Sequence, residues 1–291
     1  MESPKTALEL YQQLRWNGGD SVGNLSLGCQ LLDKHFKGGL LTTGITELTG
    51  GSATGKTQIC LQLCLTVQLP MEYGGLDGGA LYISTEDLFP SERLEQLIRS
   101  LPSRYPQILH SFLRNHPFKD YILVNHAREL HHLERLLENK IPKFLCASRS
   151  SRPIKLLIID SLTALFRTEF GYKECLQRSH VLHRFASALK KLSHIYHLPV
   201  VIVNQVSDWL VDVDSGGYCA DLVGNAIPSL GLVWSNMVNT RIALKREEQV
   251  GIEKKTFTVR TMSVLLSPNL PRKKLKFTID LTGVSHTGII K

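Results

Sequence analysis

The stretch that decides the fold is Gly50-Gly51-Ser52-Ala53-Thr54-Gly55-Lys56-Thr57, which fits the pattern G-x-x-x-x-G-K-[S/T]. Residues 44–49, which precede it, form a short segment with a preference for β-structure. Residues 58–69, which follow it, repeat apolar side chains at helical spacing and stop before Pro70. A strand, a glycine-rich loop and a helix in this order are the context that distinguishes a phosphate-binding loop, or P-loop, from an ordinary turn.

A P-loop needs these residue types at this spacing. Its glycines let the backbone fold into a nest whose N–H groups point at phosphate oxygens, and the N-terminus of the following helix adds a positive dipole. Lys56 would reach the β- and γ-phosphates of a nucleotide, and the Thr57 hydroxyl would ligate Mg²⁺. The sequence therefore predicts a site for a nucleotide with Mg²⁺.

Composition sets the class of protein. The chain has 291 residues, 43% of them hydrophobic, which is enough for one large α/β domain with a short N-terminal arm. A net charge of +8 permits a polyanionic partner without establishing one. The N-terminus is polar and apolar runs are strand-length, so we expect no signal peptide and no membrane partner. Six cysteines without C-x-x-C spacing indicate reduced thiols, as in a cytosolic or nuclear protein.

Alternating strand and helix patterns predict the architecture. The apolar runs of strand length are 80–84, 121–124, 155–160 and 199–205. The helical patterns between them are 91–100 (with Ser91 as N-cap), 129–139 and 180–196. Continuous apolar strands joined by helices predict a mainly parallel central sheet flanked by helices. Three later strand-like runs, 240–244, 256–264 and 275–279, have no helices between them, so we expect antiparallel strands at one edge.

Polar residues at strand ends gather around the predicted phosphate site, because ligands of open α/β sheets bind beyond the carboxyl ends of the strands. Asp160 ends an apolar strand and could orient the water shell of Mg²⁺ together with Thr57. Glu86 follows another strand and could polarise a water for attack on the γ-phosphate, although its neighbour Asp87 is an alternative. Gln205 ends a third strand and could sense the γ-phosphate through its amide.

With these motifs in place, the chain resembles the RecA-like P-loop ATPase core of eukaryotic strand-exchange recombinases and their paralogues. The resemblance covers roughly residues 25–285. It is carried by ordered segments along the chain: Gly38–Leu40, Gly44–Glu47, the P-loop with Lys56–Cys60, Gln68–Pro70, Gly74–Leu76, Leu81–Glu86, Ile159–Arg167 and Asn204–Val206. It implies an N-terminal arm at residues 1–24, which corresponds to a polymerisation linker, and an ATPase domain at residues 25–291.

The resemblance also implies roles for individual residues. Glu86, Lys56 and Gln205 match catalytic positions: the water-activating glutamate, the phosphate-binding lysine, and the glutamine that links the γ-phosphate to the DNA-binding loop. Thr57 and Asp160 match the Mg²⁺ ligands. The positions that match ATP-binding residues are Gly50, Gly51, Ser52, Ala53, Thr54, Gly55, Lys56, Thr57, Gln58 and Arg93, of which Arg93 corresponds to an arginine that packs against adenine.

Three narrower matches point to one DNA-repair paralogue within that family: Ser84–Asp87, Pro228–Asn236 and Ser267–Pro271. This resemblance implies homologous-recombination repair of double-strand breaks in the nucleus, with the cytoplasm as a second location. It implies a heterodimer with another paralogue, the C-lettered one, that helps the main strand-exchange recombinase assemble on single-stranded or branched DNA. Weak ATP hydrolysis would accompany ATP binding.

The chain departs from the family pattern in three ways. Only some 24 residues precede the core, where the family has a small helical DNA-binding domain. Pro4 stands where the family's Phe-x-x-Ala polymerisation motif has its aromatic residue, and Leu266 replaces an aspartate in the loop that caps a neighbouring subunit's ATP. These changes disfavour a homomeric filament and favour assembly with a different chain.

The segment that matches the second DNA-binding loop is acidic. This loop would lie near Ser207 to Ile227. From Val206 to Thr240 the chain contains no Lys or Arg, but it contains Asp208, Asp212, Asp214 and Asp221. Affinity for single strands depends on cations at phosphates and on aromatic stacking, so this loop predicts weak autonomous DNA binding. The alternative hypothesis is a self-sufficient ATPase that depends on single-stranded DNA and performs strand exchange. A small-molecule kinase would need an arginine-rich lid, which the sequence lacks.

Overall fold

The structure is a computed structural model that describes Thr6 and residues 24–147, 153–171, 174–208, 226–228, 230–250 and 256–289. Its helices are α1 (Gln30–His35), α2 (Lys56–Thr66), α3 (Ser91–Arg104), α4 (His110–Asn115), α5 (Leu130–Arg135), α6 (Ile141–Ala147), α7 (Leu162–Glu169), α8 (Cys175–Tyr196) and α9 (Gly231–Ser235). Its strands are β1 (Ile45–Gly50), β2 (Gly79–Ser84), β3 (Ile122–His126), β4 (Ile154–Asp160), β5 (Val200–Asp208), β6 (Ala226–Pro228), β7 (Thr240–Val250), β8 (Thr256–Leu266), β9 (Lys274–Asp280) and β10 (Gly283–Ile289).

The strands form one sheet in the order β10-β9-β8-β7-β1-β5-β4-β2-β3, with β6 paired to β5. Strands β7, β1, β5, β4, β2 and β3 run parallel. Strands β8, β9 and β10 add antiparallel pairs at one edge. This arrangement confirms the predicted fold class, a RecA-like α/β core with a mainly parallel sheet and an antiparallel edge.

Helices cover both faces of the sheet, because each inner strand is apolar on both sides. One core contains buried side chains of α1 to α4, such as Leu32, Leu63 and Leu97. The other core contains side chains of α5 to α9, such as Phe185 and Trp234. The sheet therefore has two buried faces, and its polar strand ends meet at one edge. No helix in the described part of the chain is both long and apolar enough to span a membrane.

Helix boundaries differ from the sequence predictions at α3 and around α5, and α8 begins at Cys175 rather than at residue 180. Ser91 is the first residue of α3 rather than its N-cap: Pro90 takes the cap position, and the Ser91 hydroxyl donates to the Phe89 carbonyl at 3.4 Å. The helix predicted at 129–139 is α5, which continues through a π-helical turn at Leu136–Lys140 into α6. The extra length lets both Leu137 and Leu145 pack into the core.

Candidate functional site

The P-loop connects the end of β1 to the start of α2 and depends on Gly55. Gly55 has a backbone φ of +109°, in the region that glycine favours. A Cβ at this position would lie 2.6 Å from the Ile279 Cδ1, so a side chain there would collide with β9. The loop consequently presents open backbone between residues 50 and 57, with the N-terminus of α2 behind it.

Lys56 lies inside this loop. Its Nζ donates to the Gly50 carbonyl at 2.9 Å and to the Gly51 carbonyl at 2.7 Å. Burial lowers the pKa of Lys56, while the carboxylates of Asp160 and Glu86 act in the opposite direction. A phosphate in the loop would compete with these carbonyls for the ammonium group, so the side chain is already positioned for an anionic ligand.

The predicted metal ligands meet each other. The Thr57 hydroxyl donates to Asp160 Oδ2 at 2.8 Å, and the Tyr82 hydroxyl donates to the same oxygen at 2.6 Å. They come together because β2 pairs with β4 in a register that sets Ser84 opposite Asp160. Burial, with the charge of Asp160, raises the pKa of Tyr82, so its hydroxyl keeps the proton that it donates.

Glu86 and Gln205 also meet, from different strand ends. Gln205 Nε2 donates to both carboxylate oxygens of Glu86, at 3.0 and 2.9 Å, and Gln205 Oε1 accepts from Arg167 at 3.1 Å. Burial raises the pKa of Glu86, and the carboxylates of Asp160 and Asp87 add to the rise, which Gln205 and Arg167 oppose. Of the two acidic candidates in the sequence, Glu86 is the one that contacts Gln205.

Arg93 closes the opposite side of the site. Its Nε donates to Gln58 Oε1 at 2.8 Å, and its terminal nitrogens donate to the carbonyls of Asp280 at 2.5 Å and Leu281 at 3.2 Å. The cleft beside it has a volume of about 430 Å³ and is lined by Ala53, Gly55, Lys56, Thr57, Gln58, Arg93, Arg260, Ile279 and Asp280. That volume lies within the range of small-molecule sites.

A nucleotide with Mg²⁺ fits the groups that are present. Backbone N–H groups and a buried ammonium face the phosphate position, and a hydroxyl and a carboxylate oxygen lie 2.8 Å apart where Mg²⁺ would bind. Of the predicted site residues, Lys56, Thr57 and Arg93 line the cleft. Asp160 adjoins it through its hydrogen bond with Thr57. The Glu86 carboxylate, paired with Gln205, acts electrostatically on Lys56.

Sequence reasoning missed two side chains of this site. Tyr82 lies in the middle of an apolar strand, where its hydroxyl is a weak signal. Arg260 lies on β8, in a segment whose sequence predicts only a strand. Its signal is the alternation of Arg260, Met262 and Val264, which puts an arginine on a face that is otherwise apolar.

Some of the residues that distinguish this chain from the family pattern lie outside the residues that the structure describes. Residues 209–225 of the second loop and residues 1–5 of the arm lie outside the described residues. Leu266, at the end of β8, has 41% of its side chain exposed. A hydrophobic side chain therefore faces solvent at the position where the resemblance implies a charged residue.

Comparison with known proteins agrees with this geometry. The Rad51 family model matches residues 20–287. The chain is 37% identical to the DNA repair protein XRCC3 of Mus musculus over 285 residues, which cover 96% of this chain and 79% of the mouse protein. It is 34% identical to the XRCC3 homolog of Arabidopsis thaliana, across 89% of this chain and 92% of the plant protein.

A third relative is the DNA repair protein rhp57 of Schizosaccharomyces pombe, 32% identical across 89% of this chain and 78% of the yeast protein. The XRCC3 relatives confirm the narrower resemblance that the sequence suggested. The matched segment contains the P-loop, the three polar strand ends and the antiparallel edge. The chain belongs to the Rad51 family.

Proposed function

We propose that this chain is an ATP-binding recombinase paralogue that acts in homologous-recombination repair of DNA double-strand breaks. It acts as a subunit of a hetero-complex that helps the strand-exchange recombinase assemble on single-stranded DNA. The observation that carries the proposal is that Lys56 and Thr57 line one cleft, with Asp160 bonded to Thr57 and with the carboxylate of the Glu86–Gln205 pair acting on the Lys56 ammonium. Members of the Rad51 family bind ATP and depend on Mg²⁺ in general.

Each residue has a chemical task at this site. Lys56 would neutralise the β- and γ-phosphates, and Thr57 and Asp160 would hold Mg²⁺, which would balance the phosphate charge. Glu86 polarises a water for attack on the γ-phosphate. Gln205 links that position to the segment that follows β5. Arg93 contacts the base.

Slow turnover follows from the pairing of Glu86 with Gln205. Both oxygens of the Glu86 carboxylate accept from Gln205 Nε2. These bonds hold the Glu86 carboxylate toward Gln205, so it must turn toward an attacking water before it can act as a base. We expect weak ATP hydrolysis, with ATP binding serving mainly to order the contact with a partner subunit.

The hetero-complex is supported by the altered interface residues. Exposed Leu266 offers an apolar contact in place of a charged one, and Pro4 alters the polymerisation motif. The partner would be another recombinase paralogue, the C-lettered one, and the complex would act on the main recombinase and on single-stranded or branched DNA. Relatives named as DNA repair proteins support a nuclear location, with the cytoplasm as a second one.

The test is the lifetime of recombinase filaments on single-stranded DNA, measured with MgATP and the purified hetero-complex. We expect longer lifetimes with the wild-type complex than with a complex carrying Lys56→Ala, at equal amounts of assembled complex. Equal lifetimes with and without the wild-type complex would contradict the proposal.

The second candidate is an autonomous ATPase that depends on single-stranded DNA and performs strand exchange. The contact of Arg167 with Gln205 favours it, because this cation donates at 3.1 Å to the residue that the resemblance assigns to sensing the γ-phosphate. Strong stimulation of ATP hydrolysis by DNA in the chain alone, lost in Lys56→Ala, would support this candidate over the mediator.

A further inference from the structure

The nucleotide cleft contains a third cation besides Lys56 and Arg93. Arg260 lies on β8, and its side chain lines the cleft together with Ala53 and Gly55. It comes from the antiparallel edge of the sheet, as do Ile279 and Asp280, whereas the other two cations come from α2 and α3. Its role therefore has to be inferred from its surroundings.

Strand pairing fixes where Arg260 stands. In the register of β8 and β9 it lies opposite Phe277. The Phe277 Cε2 is 3.5 Å from the position that a Cβ on Gly55 would occupy. Met262 and Val264 lie on the same face of β8 and are buried in the core. Arg260 is the next residue on that face, and it lines the cleft beside the P-loop. Its guanidinium is thus positioned beside the second half of the loop.

The charge of Arg260 has no acceptor within the described residues. Its Nε is buried without a hydrogen-bond partner there. Its neighbour across β7 is another cation, Arg246, which pairs with Glu248 at 3.2 Å. The carboxylate that lines the cleft, Asp280, accepts instead from the Thr282 N–H and hydroxyl, each at 2.7 Å.

A buried donor without an acceptor costs free energy, and burial and Arg246 both lower the pKa of Arg260. An anion in the cleft would remove that cost. Guanidinium groups bind phosphate oxygens with two parallel N–H donors, a geometry that lysine cannot supply.

We propose that Arg260 is a nucleotide-binding residue that donates to the phosphates beside Ala53 and Gly55, an inference that rests on the proposed ATP site. Those phosphates are present in both ATP and ADP, so Arg260 contributes to both affinities. Lys56 binds the phosphates from inside the loop, Arg93 contacts the adenine base, and Arg260 binds the phosphates from the side of β8.

The experiment measures competition of MgATP, MgADP and adenosine against a fluorescent nucleotide on the full chain. The variants are Arg260→Gln and Arg260→Lys, with Arg246→Gln as the matched control on the adjacent strand and Lys56→Ala as the test of the site itself. We expect Arg260→Gln to weaken MgATP and MgADP by about 10-fold or more, the range of a charge-assisted hydrogen bond. Arg260→Gln should compete for adenosine as the wild type does, and Arg246→Gln should keep the wild-type affinities for all three ligands. Arg260→Lys should recover part of the affinity for MgATP and MgADP that Arg260→Gln loses.

Unchanged MgATP affinity in Arg260→Gln, with the expected loss in Lys56→Ala, would overturn this inference and leave the ATP site standing. An equal loss for adenosine would also overturn it, because the residue would then act on the base or on packing. Absence of nucleotide binding in the wild type would overturn both proposals. If Arg260→Gln does not fold, Arg260→Lys decides: weaker MgATP binding at unchanged unfolding temperature supports the inference, and unchanged binding refutes it.

Discussion

Glu86 is the residue whose environment makes the clearest prediction about pH. A catalytic base must be ionised, so ATP hydrolysis should fall as pH drops through the raised pKa of this carboxylate. Asp87→Asn removes one of the negative charges that raise the pKa, so the acid limb of the rate profile should move to lower pH. Glu86→Gln should abolish hydrolysis and keep MgATP binding.

The measurement is the pH profile of ATP hydrolysis by the wild type and Asp87→Asn. Asp120→Asn, a carboxylate in the turn before β3, is the matched control and should leave the profile in place. A limb that moves to higher pH in Asp87→Asn, or hydrolysis that survives Glu86→Gln, would show that Glu86 is not the base.

Single residues differed in how well the sequence predicted them. Asp160 and Gln205 could be placed because parallel strand ends meet at one edge, so a polar residue after an apolar run marks the site. Tyr82 and Arg260 could not, because the surroundings of each side chain depend on strand pairing between segments far apart in the chain. The contact between the Tyr82 hydroxyl and Asp160 depends on the register of β2 with β4, which local patterns do not reveal.

At the scale of elements, α3 shows how a distant contact extends a helix. The pattern predicted an end near Ser100, yet α3 runs to Arg104 and includes Pro102. Arg104 donates to the carbonyls of Gly28 at 2.5 Å and Thr282 at 2.7 Å, and also to that of Val284. These bonds attach the end of α3 to β10 and to the segment before α1.

Arg104→Ala should therefore lower the free energy of unfolding by roughly 2–4 kcal/mol, since several charge-assisted hydrogen bonds are lost together. Urea denaturation at constant pH measures it. Arg99→Ala, on the same helix, removes only an exposed ion pair with Glu95 and should leave the free energy nearly unchanged. Equal effects of the two variants would mean that Arg104 does not anchor the helix.

The sequence pattern does not predict strand β10, for a related reason. Residues 283–289 contain two glycines and little apolar alternation, so the sequence gives a weak strand signal. The strand forms because β9 supplies a pairing edge and Gln62 of α2 accepts from the Val284 N–H at 2.8 Å. The inner strands β2, β4 and β5 were predictable because their apolar runs are continuous.

At the scale of the whole molecule, a buried polar network joins the centre of the sheet to the segment after the second loop. Glu47 of β1 is fully buried and accepts from Arg241 of β7, from Asn204 at 2.6 Å and from Trp234 at 2.8 Å. Asn204 in turn accepts from Thr163, whose hydroxyl also binds the Gln205 N–H at 2.9 Å. The network thus connects α9 to the residue that contacts Glu86.

Glu47→Ala should lower the free energy of unfolding by roughly 3–5 kcal/mol, because it leaves the Arg241 guanidinium buried and unpaired. Chemical denaturation checks this. Glu134→Ala, which breaks an ion pair of α5 with the more exposed Arg184, is the control and should cost much less. Comparable losses in the two variants would contradict a structural role for the Glu47 network.

Titration calorimetry of the full chain with MgATP determines whether the cleft beside the P-loop binds ATP with Mg²⁺. The same titration is made with Lys56→Ala and with the chain co-purified with its partner paralogue. We expect saturable binding at one site per chain, strengthened in the complex and lost in Lys56→Ala, whose unfolding temperature without nucleotide should match the wild type. No binding in either setting, or identical binding by Lys56→Ala, would contradict ATP binding at this cleft.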